Sequence, residues 1–474
     1  MKTFLICIAL AFALFMGTYR LVETPPTWMD EGVISQVAIN MVNHGVYGYQ
    51  ISPGTFVDAE FLTTSYPVTF PLIMVFKLWG IGLTEARTLM VLFILGFIAG
   101  AYHLVREQSR YTHWLVPLLS LVLLVSFAPL YGHGKNVLGE VPGLMFFVSM
   151  LYFLSRMEKG SERWGTALSA GLCAGLAMAT KPIYLIVVAP ALVVTVFIFR
   201  IRFSVRKRVW LFVGCVLPLI AWYLIQFTTT THASIFTGNP DMVSITQLIM
   251  TNLGRFVTEA QPMYFLGLML VWWASVYIRM VRSRPLSVVE SIALIFSTVN
   301  LCAYTVTLGY YRYFFPGEII ALIFFVPSLW YVWDVISLRI PLLHRKVFFT
   351  VILALIGFQV YQTLFTSWIA DYKDSNRAQE LEMYIGELPA EKMILFYNVP
   401  EAVIFLPHDN YAQYIRLADS VIRGQENVAA LAQGVPDLVL VDQKFDLKDM
   451  PSRYVEIARF YKYILFEKSA TLPK

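Results

Sequence analysis

The sequence predicts a polytopic α-helical membrane protein that ends in a small extracytoplasmic α/β domain. Three observations carry that prediction. Of the 474 residues, 58% are hydrophobic and only 14% charged, against about 25% charged in soluble domains. Apolar stretches of bilayer length recur from the N-terminus to residue 368, each close to the roughly 20 residues a spanning helix needs. Beyond residue 371, charges become frequent and apolar runs shrink to strand length. The mean hydropathy of +0.63 excludes an ordinary soluble enzyme. No basic stripe or binding motif points to a nucleic-acid partner.

About eleven spans are expected, near 3–21, 86–104, 114–131, 137–155, 165–180, 183–199, 209–227, 262–278, 286–307, 313–335 and 347–368. The first lacks a small-residue cleavage site and is read as a retained helix. Lys181-Pro182 divides the long apolar run at 165–199 and predicts a tight outer turn. Gly171 and Gly175 form a G-x-x-x-G face for close helix packing. Basic residues fall in alternate loops: Arg106 and Arg110; Arg156, Lys159 and Arg163; Arg200 to Arg208; Arg279, Arg282 and Arg284; Arg339, Arg345 and Lys346. By the positive-inside rule the N-terminus is cytoplasmic and the C-terminal domain extracytoplasmic, in a plasma (inner) membrane.

Residues 1–370 thus form the membrane domain, and 22–82 its first outer loop. Within that loop Val33, Ile34, Val37, Ala38, Met41 and Val42 recur at helical spacing, opposite Ser35, Gln36, Asn40 and Asn43. Gly45 is the expected stop. This helix is too short to span and is expected to lie along the membrane surface. Tyr66–Trp79, with Pro67 and Pro71, is expected as a second surface or re-entrant element. Residues 371–474 form the α/β domain, with strands at 393–397, 438–441 and 463–466 and helices at 378–388, 426–433 and 452–461. It has no G-x-G-x-x-G or P-loop signature, so no nucleotide is assigned.

The chemistry-bearing residues gather on the outer side. Asp30 and Glu31 open the surface helix. Asp30 suits a helix N-cap and Glu31 the positive end of the dipole. The pair equally suits a general base with a second carboxylate beside it. Arg87, Lys135, Glu140, Lys181 and Arg312 sit at outer ends of spans, as anchors at the interface or as groups that meet an anionic lipid phosphate. Asp58 and Glu60 make a pair suited to loop solvation, a metal or an acceptor, and His44 precedes the helix stop. Cys7, Cys173, Cys215 and Cys302 lie in apolar runs without metal or disulfide spacing.

The order of these motifs resembles the C-type (GT-C) membrane glycosyltransferases of families 39 and 83, which include protein O-mannosyltransferases, lipid A aminoarabinose transferases and lipopolysaccharide-type transferases. The matching residues are DEG at 30–32, NHG at 43–45, TTSYPVTFPL at 63–72, Arg87 of EAR, TKP at 180–182 and YRYFFPG at 311–317. The resemblance implies an inverting transfer of sugar from a polyprenyl-phosphate donor to an extracytoplasmic lipid, glycan or protein hydroxyl. It implies Asp30 as the base, followed by Glu31, with Glu140 nearest to an assisting second-loop carboxylate. Ser65 and Tyr66 stand where many relatives carry a Lys or His, so the donor phosphate is expected on Lys135 or Arg312, with Arg87 and Lys181 as further cations. No cofactor is expected, and a divalent cation is left open. The rival reading is a transporter or flippase of a lipid-linked or anionic substrate, against which stands the one-sided placing of the charges.

Overall fold

A computed structural model of the chain describes residues 2–59, 63–108, 114–161, 163–198, 203–226, 245–307, 309–337, 344–366, 378–418, 421–460 and 462–469. After α1 (Lys2–Thr18), the first outer loop holds α2 (Met29–Asn43), a hairpin of β1 (Gly48–Ser52) and β2 (Thr55–Asp58), and α3 (Tyr66–Trp79). The body continues through α4 (Leu83–Gln108), α5 (Leu115–Val125), α6 (Ala128–Lys135), α7 (Glu140–Glu158), α8 (Trp164–Thr180), α9 (Pro182–Ile198) and α10 (Val205–Gln226). It closes with α11 (Ile245–Thr258), α12 (Ala260–Val281), α13 (Val288–Thr305), α14 (Phe315–Ser337) and α15 (His344–Tyr361).

Among the described residues, six helices are long and apolar enough to cross a bilayer: α4, α10, α12, α13, α14 and α15. A seventh arises if α5 and α6, bent by 56° at their junction, count as one span. The expected count of about eleven is therefore not reproduced. The expected spans at 3–21, 165–180 and 183–199 fall on apolar helices of 10–17 residues, and the one at 137–155 falls on α7, which is not among the six. The α5–α6 bend follows from Phe127 in extended geometry and Pro129 in the first turn of α6.

Small residues bring α8 and α10 into backbone contact. A Cβ on Gly171 would lie 2.1 Å from the Leu211 carbonyl oxygen, and one on Gly175 would lie 2.3 Å from that of Cys215. Thr180 ends α8, Lys181 is extended and Pro182 begins α9, which is the turn expected there.

The C-terminal domain contains α16 (Ala378–Gly386), α17 (Gln425–Gln433) and β3 (Ile394–Tyr397), β4 (Tyr411–Ala418), β5 (Val421–Arg423), β6 (Leu438–Asp442), β7 (Tyr454–Phe460) and β8 (Tyr463–Lys468). They form one sheet in the order β5-β4-β3-β6-β8-β7, parallel where β3 meets β4 and β6 and antiparallel elsewhere. The helix expected at 452–461 is instead β7, an edge strand. The junction expected at 370/371 lies outside the described residues.

The sheet is covered on both faces, as parallel pairing requires. Leu395, Val439, Val441, Ile464 and Phe466 face one core. Ile394, Phe396, Leu438, Leu440 and Leu465 face another that continues into Val33, Ile34 and Val37 of α2 and into α3 and α4. Here α2 departs from expectation. It is buried between the helical body and the C-terminal sheet. Its polar face is buried too: the Gln36 amide donates to Gln413 Oε1 at 2.9 Å and to the Pro400 carbonyl at 3.1 Å.

Candidate active site

α2 starts abruptly. Trp28 is extended, the helix begins at Met29, and Asp30 and Glu31 lie in its first turn, where the positive end of the dipole favours them. Neither caps the helix, because Trp28 holds the N-cap position without a side-chain bond. The N-cap reading of Asp30 is thereby corrected. At the other end His44 closes the helix, and Gly45 turns the chain at φ +70, a geometry that glycine adopts without a Cβ clash.

The two neighbouring carboxylates enter different surroundings. Glu31 is buried against Arg87, which donates from Nε to Oε1 at 3.0 Å and from Nη2 to Oε2 at 2.8 Å. Nη2 also reaches Asn136 Oδ1 at 3.0 Å, and Nη1 serves the carbonyls of Leu21, Val22 and Pro25 at 2.9–3.1 Å. The Val137 amide donates to Glu31 as well, at 3.2 Å. Every guanidinium nitrogen is engaged within the protein. Arg87 and Glu31 thus form a buried clamp with both partners' polar atoms engaged, where the sequence reading expects a donor-phosphate ligand and a catalytic carboxylate. Lys135 is buried beside them and donates to the carbonyls of Tyr19 at 2.7 Å and Thr24 at 3.2 Å. It anchors the segment joining α1 to α2 instead of facing open solvent.

Asp30 is different. Its side chain is 20% exposed, as is that of Arg312, whose Nη1 donates to Asp30 Oδ2. Arg312 sits in a short 3₁₀ turn before α14, over the rings of Tyr310 and Tyr313 at 5.8 and 5.5 Å. Burial alone would lower its pKa, but the charges of Asp30 and Glu140 outweigh that and hold it above its ordinary value. The guanidinium stays charged.

Glu140 completes the cluster at the start of α7. Lys181 donates to its Oε1 and the Tyr184 hydroxyl to its carbonyl, while Oε2 is buried with no hydrogen-bond partner among the described residues. Glu140 interacts electrostatically with Lys181, Arg312 and His133. His133 packs against Tyr311 at 5.1 Å and Phe315 at 5.0 Å. Asp30, Arg312, Glu140, Lys181 and His133 thus converge from five separate stretches of chain.

His133 and Asn136 were missed by sequence reading, although both lie in the YGHGKN stretch that supplied Lys135. Glu318, whose Oε2 accepts from the Tyr311 hydroxyl at 2.6 Å, was missed as well. Other expected residues lie elsewhere. His44 Nε2 is 3.3 Å from Asp409 Oδ2, so His44 belongs to the contact with the C-terminal domain. Asp58 pairs with Gly48 in the β1–β2 hairpin, and Glu60 lies outside the described residues. Among the described residues no group of three or more His, Cys, Asp or Glu side chains converges to hold a metal.

Beside this cluster an apolar cavity of about 620 Å³ opens between α12, α14 and α15, lined by Phe127, Tyr264, Leu268, Phe325, Phe358 and Gln359 among others. Tyr264 interacts with Glu318, and Glu318 bonds Tyr311 next to Arg312. Glu318 and Tyr311 thus link the cavity wall at Tyr264 to the residue before Arg312.

The same architecture recurs in solved structures. ArnT from Cupriavidus metallidurans, bound to undecaprenyl phosphate, matches with a TM-score of 0.65 at 13% identity, over 100% of this chain and 99% of that one. The chain shares the fold of this ArnT structure. The fold is also similar to that of the Archaeoglobus fulgidus oligosaccharyltransferase, in complex with Zn and sulfate (TM-score 0.56, 12% identity, 92% of this chain and 68% of that one). The same archaeal protein, AglB, with an inhibitory peptide and a dolichol-phosphate, gives a TM-score of 0.56 at 11% identity over 93% and 69%. The model of the dolichyl-phosphate-mannose-protein mannosyltransferase family matches residues 67–225, from α3 to α10. No curated protein sequence matches it.

Proposed function

We propose that the protein is an inverting glycosyltransferase that moves a sugar from a polyprenyl-phosphate donor to an acceptor hydroxyl on the extracytoplasmic side. The observation that carries this reading is the partly open Asp30–Arg312 pair, set beside Glu140 and Lys181 at the helix ends and next to an apolar cavity. A lipid-linked phosphate needs both halves: apolar walls for the tail and a cation for the head. Arg312 presents a planar fork suited to phosphate, and Lys181 adds a point charge. A bound phosphate would compete with Asp30 for Arg312, so binding the donor also frees the Asp30 carboxylate.

Asp30 then acts as general base. The acceptor oxygen attacks the anomeric carbon from the face opposite the phosphate, and its proton passes to the Asp30 carboxylate. The bond from the anomeric carbon to the phosphate oxygen breaks, and polyprenyl phosphate leaves with that electron pair. Arg312 and Lys181 stabilise the charge that develops on it. Glu140 holds Lys181 in place. The transporter reading loses support because the charged groups gather at helix ends, whereas carriers bind near the membrane midplane.

The test uses purified protein in lipid with a panel of polyprenyl-phosphate sugars and simple acceptors, following release of polyprenyl phosphate by mass spectrometry. Release is expected from wild type, with Asp30→Asn slower by about 10²–10⁴-fold. Equal release by both would move the base to another carboxylate. Lipid flipping without release from any donor would favour the transporter.

A further inference from the structure

Asp30 is bracketed by the C-terminal domain. Three residues before it, Thr27 is buried and held twice. Lys462 Nζ donates to its carbonyl at 2.7 Å, and its hydroxyl bonds the Tyr463 hydroxyl at 2.8 Å. Two residues after Asp30, Gly32 runs so close to the sheet domain that a Cβ there would lie 2.2 Å from the Glu401 Cα and backbone nitrogen. Glu401 joins the two contacts: its Oε1 accepts from Lys462 Nζ at 2.6 Å and from the Tyr463 hydroxyl at 3.3 Å. Burial, and then the Glu401 charge, push the Tyr463 hydroxyl well above its ordinary pKa. Tyr463 therefore stays protonated and donates to Glu401, which leaves Thr27 to donate to Tyr463.

The segment so held needs holding. Trp28 is extended and supplies no side-chain cap, so the first turn of α2 lacks the bond that ordinarily stops a helix end from fraying. Glu31 is fixed from the helical body by Arg87, but that clamp acts after Asp30 in the chain. The grip on Thr27 acts before it.

We propose that Lys462, Tyr463 and Glu401 form a positioning unit that sets Asp30 against the reacting groups by holding Thr27. The C-terminal domain is then part of the transfer machinery and not an appendage. This role rests on Asp30 being the base. A displacement of about 1 Å at a reacting group can cost up to about 10²-fold in rate, so a loosened first turn should appear in kcat.

The experiment compares full-length wild type with Lys462→Met, Lys462→Arg, Tyr463→Phe and Asp30→Asn in lipid, measuring kcat, donor KM and Tm. Asn427→Ala is the control. Asn427 bonds the carbonyls of Ile51 at 3.0 Å and Gln413 at 2.8 Å, so its loss loosens the same domain without touching Thr27. Lys462→Met should lower kcat about ten-fold with donor KM unchanged, Lys462→Arg should restore most of it, and Tyr463→Phe should cost less. Asn427→Ala should lower Tm and keep kcat. Full kcat in Lys462→Met beside an inactive Asp30→Asn would overturn the positioning role alone, as would an Asn427→Ala enzyme whose kcat falls with its Tm. A wild type that releases nothing, or an Asp30→Asn that keeps its activity, would overturn the base assignment and this role with it.

Discussion

Asp30 and Glu31 are adjacent in the chain and carry the same charge, yet each meets an arginine of a different kind. Glu31 meets Arg87 in a buried pocket where every guanidinium nitrogen is occupied, and the two side chains are 2% and 0% exposed. Asp30 meets Arg312 at a site left one-fifth open. A saturated, buried pair fixes geometry and has nothing left to offer a substrate. An open pair can exchange partners. In the proposed mechanism chemistry follows accessibility, and the buried clamp keeps the open pair in place.

Substitutions can break or sharpen that contrast. Arg87→Ala leaves the Glu31 charge buried without its partner, so a loss of about 3–5 kcal/mol in stability is expected, read as a large fall in Tm in lipid or detergent. Arg312→Ala should leave Tm nearly unchanged and lower kcat/KM for the donor by about 10²–10³-fold, with acceptor KM little altered. If the donor parameters did not change, Arg312 would be removed from the phosphate site. Gly32→Ala is expected to cost about 1–3 kcal/mol, because the new methyl must push α2 away from Glu401. Limited proteolysis should show the C-terminal domain released more readily, and an unaltered digestion pattern would contradict the close packing.

Much of the membrane part was legible in composition and charge, because hydropathy and Pro/Gly punctuation act locally. The α3 bounds and the Lys181-Pro182 break follow from those signals. The span count did not follow, since hydropathy does not tell an apolar helix of 10–17 residues from one long enough to cross. The α2 polar face reads as solvated for a different reason: Gln36 finds its partners at Pro400 and Gln413 of the C-terminal domain, and Asn40 finds its own at Gly48, only once the chain is folded. β7 was taken for a helix because an edge strand pairs on one side only and has a bulge between Glu456 and Ala458, which blurs its alternation. In the cluster, Asp30, Glu140, Lys181 and Arg312 stood out as isolated charges. His133 did not, because a histidine beside glycines signals little until Tyr311 and Phe315 are folded against it.

The most direct measurement sets Asp30→Asn against Glu31→Gln, with kcat for polyprenyl-phosphate release and Tm determined on the same preparations. The account predicts that Asp30→Asn loses about 10²–10⁴-fold in kcat at nearly wild-type Tm, whereas Glu31→Gln loses Tm and retains kcat at temperatures where it is folded. The reverse result, an inactive but stable Glu31→Gln beside an active Asp30→Asn, would contradict it.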